Sequence, residues 1–138
     1  MTTYTNNLRI PYLDQNVAQP EVPENTAKNI IDQMFSNIYT VNATADIDIN
    51  ITQTDDPTAP TNWQSFMIKI TDTSAFFTVE RNVSLPNYPR SYIFMNSTLQ
   101  SLTFKTSSGT GFKIAAGTTA YGYSDGTNMS IIEFTTAI

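Results

Sequence analysis

The sequence predicts a mainly β protein: an antiparallel β-sandwich or jelly-roll-like domain over residues 40–138, preceded by an extended arm and one amphipathic helix over residues 1–39. Three observations carry this expectation. Thr (22 of 138 residues) and Asn (13) dominate the polar residues while only 14% are charged, a mixture that favours strands and leaves little Lys or Glu for exposed helices. All seven prolines fall at or before Pro89 and all five glycines lie between positions 109 and 126, so pinned connections come first and tight turns afterwards. Apolar residues recur at helical spacing in one stretch and at every second position beyond it.

Residues 8–22 read as an arm, with Leu8, Ile10, Tyr12 and Leu13 around Pro11, and with Pro20 and Pro23 keeping the following chain extended or turned. A helix follows. Glu24, Asn25 and Thr26 supply acidic and capping groups, and Ala27, Ile30, Ile31, Met34, Phe35 and Ile38 then recur on one helical face. After Tyr39 the period changes to two. Residues 46–52 alternate strictly, which places Ile47, Ile49 and Ile51 on one face of a half-buried strand. Turn chemistry at nearly every position makes residues 55–62 a loop.

Further strands are expected at 63–71, 75–81, 92–95, 99–105, 112–115, 119–123 and 129–135. Ser107-Ser108-Gly109 and Asp125-Gly126-Thr127-Asn128 have the composition of hairpin turns. Eight short strands and a single helical period point to an antiparallel sandwich, jelly roll or small barrel. So many strands leave sheet edges, and a chain this poor in Lys has few charges to blunt them. Another chain is expected to cover them.

The inventory of reactive groups is short. There is no His and no Cys, which removes an imidazole base, a thiolate nucleophile, a disulfide framework and His-containing zinc sites. Asp46 with Asp48, and Asp55 with Asp56, are the carboxylate pairs that general acid–base work on a glycan would need, or that a divalent cation could use. Neither pair sits among other catalytic residue types or in a calcium-loop spacing, so both read as solvated polar faces. No enzyme activity, cofactor or metal is expected. Gly109-Thr110-Gly111 lacks the Lys and the following helix of a phosphate loop and reads as a turn. Five Asn-x-Ser/Thr triplets, at Asn42, Asn50, Asn82, Asn96 and Asn128, are most simply a product of the composition.

Charge is unevenly placed. Residues 1–56 hold eight acids against Arg9 and Lys28, while residues 57–138 hold four acids against five bases. No basic stripe interleaved with aromatics is present, so nucleic acid is not an expected partner. No apolar run reaches the length of a membrane span, and residues 1–7 lack the basic start and apolar stretch of a secretory signal. Two surfaces remain as candidate sites. Leu8, Ile10, Tyr12, Leu13, Ile30, Met34 and Phe35 form a candidate assembly interface, and Trp63, Tyr88 and Tyr92 a candidate platform for stacking a sugar.

Beyond Asn96 the run Asn-Ser-Thr-Leu-Gln-Ser-Leu-Thr-Phe-Lys-Thr, then Ser-Gly-Thr-Gly-Phe-Lys-Ile-Ala-Ala-Gly-Thr-Thr-Ala-Tyr-Gly-Tyr-Ser-Asp-Gly-Thr-Asn-Met, resembles a β segment of tailed-bacteriophage fibre and virion surface proteins. It spans roughly a quarter of the chain and carries no catalytic residues. Ile10-Pro11-Tyr12-Leu13, with Ala18-Gln19 and Val22 ahead of Asn25, is similar to the start of a phage and gene-transfer-agent family of virion surface proteins, though Pro20 and Pro23 replace its usual Lys or small residue. These resemblances imply a structural protein of a tailed-phage virion, assembled in the host cytoplasm. Such a protein decorates the capsid or forms a short spike or fibre base. Its implied partners are sister subunits, most simply in a trimer, and the major capsid or tail protein. The rival reading is a lectin-like module that recognises a host surface glycan.

Overall fold

A computed structural model describes Tyr4 and residues 21–53 and 62–133. Helix α1 spans Glu21–Ser36, three residues earlier than the capping pattern at Glu24 suggested. Pro23 then lies in the first turn, where its missing N–H has no intrahelical acceptor to lose. The helix ends abruptly: the Asn37 N–H donates to the Gln33 carbonyl (3.1 Å), the Ser36 hydroxyl to that of Asp32, and strand β1 (Ile38–Asn42) starts at once.

The remaining strands are β2 (Ile49–Asn50), β3 (Met67–Thr71), β4 (Arg81–Leu85), β5 (Pro89–Ser97), β6 (Leu102–Thr106), β7 (Gly111–Ile114), β8 (Thr119–Asp125) and β9 (Met129–Ile131). They form a five-stranded sheet in the order β1-β3-β5-β8-β9 and a four-stranded sheet in the order β2-β4-β6-β7. The expectation of antiparallel pairing needs correction. The first six strands alternate between the two sheets, so each lies parallel to the strand laid down two before it: Ile38 faces Met67, Met67 faces Ile93, Ile49 faces Val83 and Arg81 faces Leu102. Antiparallel pairing enters only with β7, β8 and β9.

Both sheets feed one core. Ile68, Ile70, Tyr92 and Phe94 come from the five-stranded sheet and Val83, Leu85, Leu102 and Phe104 from the other, and all are fully buried. Phe94 stacks on Phe104 with centroids 4.3 Å apart, so aromatic rings bridge the layers directly. On one side the sheets are joined. The Met129 N–H donates to the Thr110 carbonyl (2.9 Å), the Thr106 hydroxyl to the Thr127 carbonyl, and the Asn128 side chain accepts from Thr110 N–H (2.9 Å). A Cβ on Gly109 would stand 1.7 Å from the Thr127 carbonyl oxygen, so only glycine allows this approach. The second expected turn is present too, with Gly126 at φ 95 and Asp125 Oδ1 accepting from the N–H groups of Thr127 (2.8 Å) and Asn128 (2.7 Å).

Three expected strands are displaced. Residues 75–81 do not extend: the Asp72 carboxylate accepts from the N–H groups of Phe76 (2.9 Å) and Phe77 (2.8 Å), folding the chain into a turn with Ala75 at φ 53, and β4 starts at Arg81. Trp63 lies in a 3-10 turn (Asn62–Gln64) ahead of β3. The alternating run 46–52 pairs only through Ile49–Asn50. Ile51 is buried, but Ile47 is 60% exposed.

Candidate functional site

Strand β5 carries Arg90, Tyr92, Phe94 and Asn96 in one period-two row, three of them buried. Arg90 ends this row, where the core opens to the surface. Its guanidinium lies 4.4 Å from the centroid of the Tyr92 ring and donates to the main-chain carbonyls of Gln64 (2.7 Å) and Trp63 (3.4 Å). Burial depresses its pKa below the usual arginine range. Burial likewise pushes the Tyr92 phenol up to about 12, so that it stays protonated.

Beside Arg90 lies a groove of about 450 Å³. Met34, Phe35 and Phe66 form one wall: the Phe66 N–H donates to the Met34 carbonyl (2.8 Å), and its ring lies 6.4 Å from that of Phe35. Trp63, 8% exposed, is stacked by Tyr88 at 5.1 Å with the planes 28° apart. Tyr88 stands at the rim, 41% exposed, between Pro86 and Pro89, and its hydroxyl donates to Gln53 Oε1 (2.7 Å). Its other side borders a second groove of about 400 Å³, lined by Asn50, Ile51, Thr52, Gln53, Pro86, Asn87 and Ser107, where Asn50 Oδ1 accepts from Ser84 and Asn87 Oδ1 from the Ser107 hydroxyl.

The polar atoms at the Arg90 end are unevenly satisfied. Trp63 Nε1, Arg90 Nε and the Tyr92 hydroxyl are enclosed and have no hydrogen-bond partner among the described residues. All three are donors where buried groups ordinarily find acceptors. No acidic side chain pairs with Arg90 among those residues, whereas Arg81 pairs with Asp46 (2.9 Å) and Lys113 with Glu80 (2.6 Å).

The expected site residues divide accordingly. Trp63 and Tyr88 come together, and Met34 and Phe35 join them in the same groove. Tyr92 belongs to no exposed platform: it is buried against Phe94, with ring centroids 5.0 Å apart. Ile30 is half-buried. Leu8, Ile10, Tyr12 and Leu13 lie outside the described residues, as do Asp55 and Asp56. Asp46 and Asp48 are engaged in the fold. Asp46 accepts from the Thr78 hydroxyl and from Arg81 Nε (2.9 Å), and Asp48 from the Asn82 N–H (2.9 Å). The Thr78 hydroxyl, foremost, lowers the pKa of Asp46.

Sequence reasoning missed Arg90 and Phe66. The signal for Arg90 was its place two residues before Tyr92 in an alternating apolar row; none distinguished Phe66 from an ordinary core aromatic. Among the described residues no group of three or more acids could hold a metal, and no helix is long and apolar enough to cross a membrane. Compared with known proteins, the chain matches no family model, no curated relative and no solved structure.

Proposed function

We propose that this chain is a non-enzymatic structural component of a tailed-phage virion, a two-layer β-sandwich that associates with sister subunits through the face formed by α1 and β1. The observation that carries the reading is an uncovered apolar stripe: Ile31, Phe35 and Ile38 are 45%, 55% and 47% exposed and continue from the helix onto an edge strand. Strand β1, Ile-Tyr-Thr-Val-Asn, has no charge or proline to discourage pairing. Capsid decoration or a short spike suits so compact a chain, with a trimer as the expected assembly. Light scattering of the purified protein is expected to give the mass of three chains, and Phe35→Asp that of one. Removing residues 1–22 is expected to leave a folded protein that no longer joins particles. Normal incorporation of both variants would sink the reading.

A second reading, glycan recognition, is favoured by one observation. Tyr88 is held by its stack on Trp63 while 41% exposed, at the boundary between the two grooves. Glycan-array binding that disappears in Tyr88→Ala is the expected result, and silence across host surface glycans would argue against it.

A further inference from the structure

We propose that the groove beside Arg90 binds the carboxylate of an acidic sugar, with Arg90 as the charged anchor and Tyr88 as the stacking face for the ring. The inference rests on the glycan reading above and names the sugar class.

Charge is the first constraint on a ligand here. Arg90 is partly withdrawn from water, and its described partners are carbonyl dipoles rather than a carboxylate. A cation in that position favours an anion in the adjoining groove, and arginine matches a carboxylate with two parallel N–H donors. Arg90 is the one charged side chain among the described residues that line the groove, beside Trp63 and the Tyr88 rim. A ligand that engages it must bring an acceptor.

The Tyr88 rim decides what carries that acceptor. On one side stand Arg90, Trp63 and the Phe35–Phe66 wall; on the other lie Asn50, Thr52, Asn87 and Ser107 with Ile51 and Pro86, and of these Asn50 also bonds to Ser84 and Asn87 to Ser107 and Ser108. A ligand spanning both must present a carboxylate, then a flat C–H face over Tyr88, then hydroxyl groups. A uronic acid within an oligosaccharide offers all three on one ring. An acidic peptide offers the carboxylate without the hydroxyl-bearing ring.

The test is titration calorimetry of the intact protein with oligogalacturonate, oligoglucuronate and their carboxyl-reduced neutral counterparts, and with poly-glutamate as the peptide control. The acidic sugars are expected to bind at least about tenfold more tightly than the reduced ones. Arg90→Gln should abolish that preference while weak binding to both forms persists, Arg90→Lys should retain part of it, and Tyr88→Ala should remove binding altogether. Thermal unfolding of each variant shows whether the fold is kept. Equal affinity for acidic and neutral sugars, or an unchanged preference in a folded Arg90→Gln, would overturn the role of Arg90 and leave glycan recognition standing. Failure of every sugar to bind, with or without capture of poly-glutamate, would overturn both.

Discussion

The two ends of strand β5 treat buried polar groups in opposite ways. Near its C-terminal end Asn96, almost wholly enclosed, uses its whole side chain: Nδ2 donates to the carbonyls of Gln100 (2.8 Å), Ile114 (3.1 Å) and Ala115 (3.3 Å), and Oδ1 accepts from the N–H (3.0 Å) and hydroxyl (2.8 Å) of Thr98. These contacts tie the corner where the chain leaves β5 for β6 to the corner where it leaves β7 for β8. At the other end Trp63, Arg90 and Tyr92 leave three donors without acceptors among the described residues. A satisfied network specifies structure, whereas an unsatisfied one costs stability unless something else completes it. One strand thus joins a structural corner to the candidate ligand groove.

The largest effect that would break this comparison comes from Asn96→Ala. It strips carbonyls at both corners of their donor and should cost about 3 kcal/mol, read from urea unfolding. A change below about 0.5 kcal/mol would show that the corner is not what holds the layers. Gly109→Ala should follow at about 2 kcal/mol, because the new methyl meets the Thr127 carbonyl at the joined side of the sheets. An acid titration sharpens the picture at the surface. Hydrogen bonds lower the pKa of Asp46, chiefly from Thr78, and of Asp125, chiefly from the Asn128 N–H, both from an ordinary value of 3.8. A depressed folded-state pKa contributes stability above the unfolded value and loses it as pH falls through the folded one, so the urea midpoint should drop below about pH 4. The Asp46→Asn, Asp125→Asn double variant should show a shallower fall.

The smallest expected effect is the most discriminating. Tyr92→Phe removes a hydroxyl that has no partner among the described residues, so stability should change by less than about 0.5 kcal/mol or rise slightly. A cost as large as that of Asn96→Ala would mean that the two ends of β5 are alike after all.

Local chemistry was legible in the sequence where one short segment determined the outcome. The amphipathic helix, the Asp125-Gly126 turn and a strand expected at 99–105 depend on spacing and turn residues alone, and the structure has the first two and places the strand at Leu102–Thr106. The parallel winding was not legible, because period-two alternation fixes which face a residue takes and is silent about its neighbour. Two aspartates also decided the outcome where the pattern looked extended. Asp72 closed a local turn four and five residues on, within 75–81, and Asp46, over a distance that spacing does not encode, bonded to Thr78 and Arg81 beside a β2 of two residues. The candidate site was half visible: Trp63 and Tyr88 were legible as residue types, but Arg90 acquired meaning only when β5 brought it beside them.

The alternation of β1 to β6 between sheets also sets the order of events at the ribosome. β1 must wait for β3, and β2 for β4, before either has a partner in its own sheet. Among the described strands, only the β6–β7 and β8–β9 hairpins join immediate neighbours in the chain, and both lie in its last third. Pairing that spans so much sequence delays folding, and the earliest-made strands stay unpaired longest. The nascent chain therefore reaches its stable form only when translation of this region is nearly finished, and a slow codon or pause before β3 would prolong the exposure of an uncharged β1.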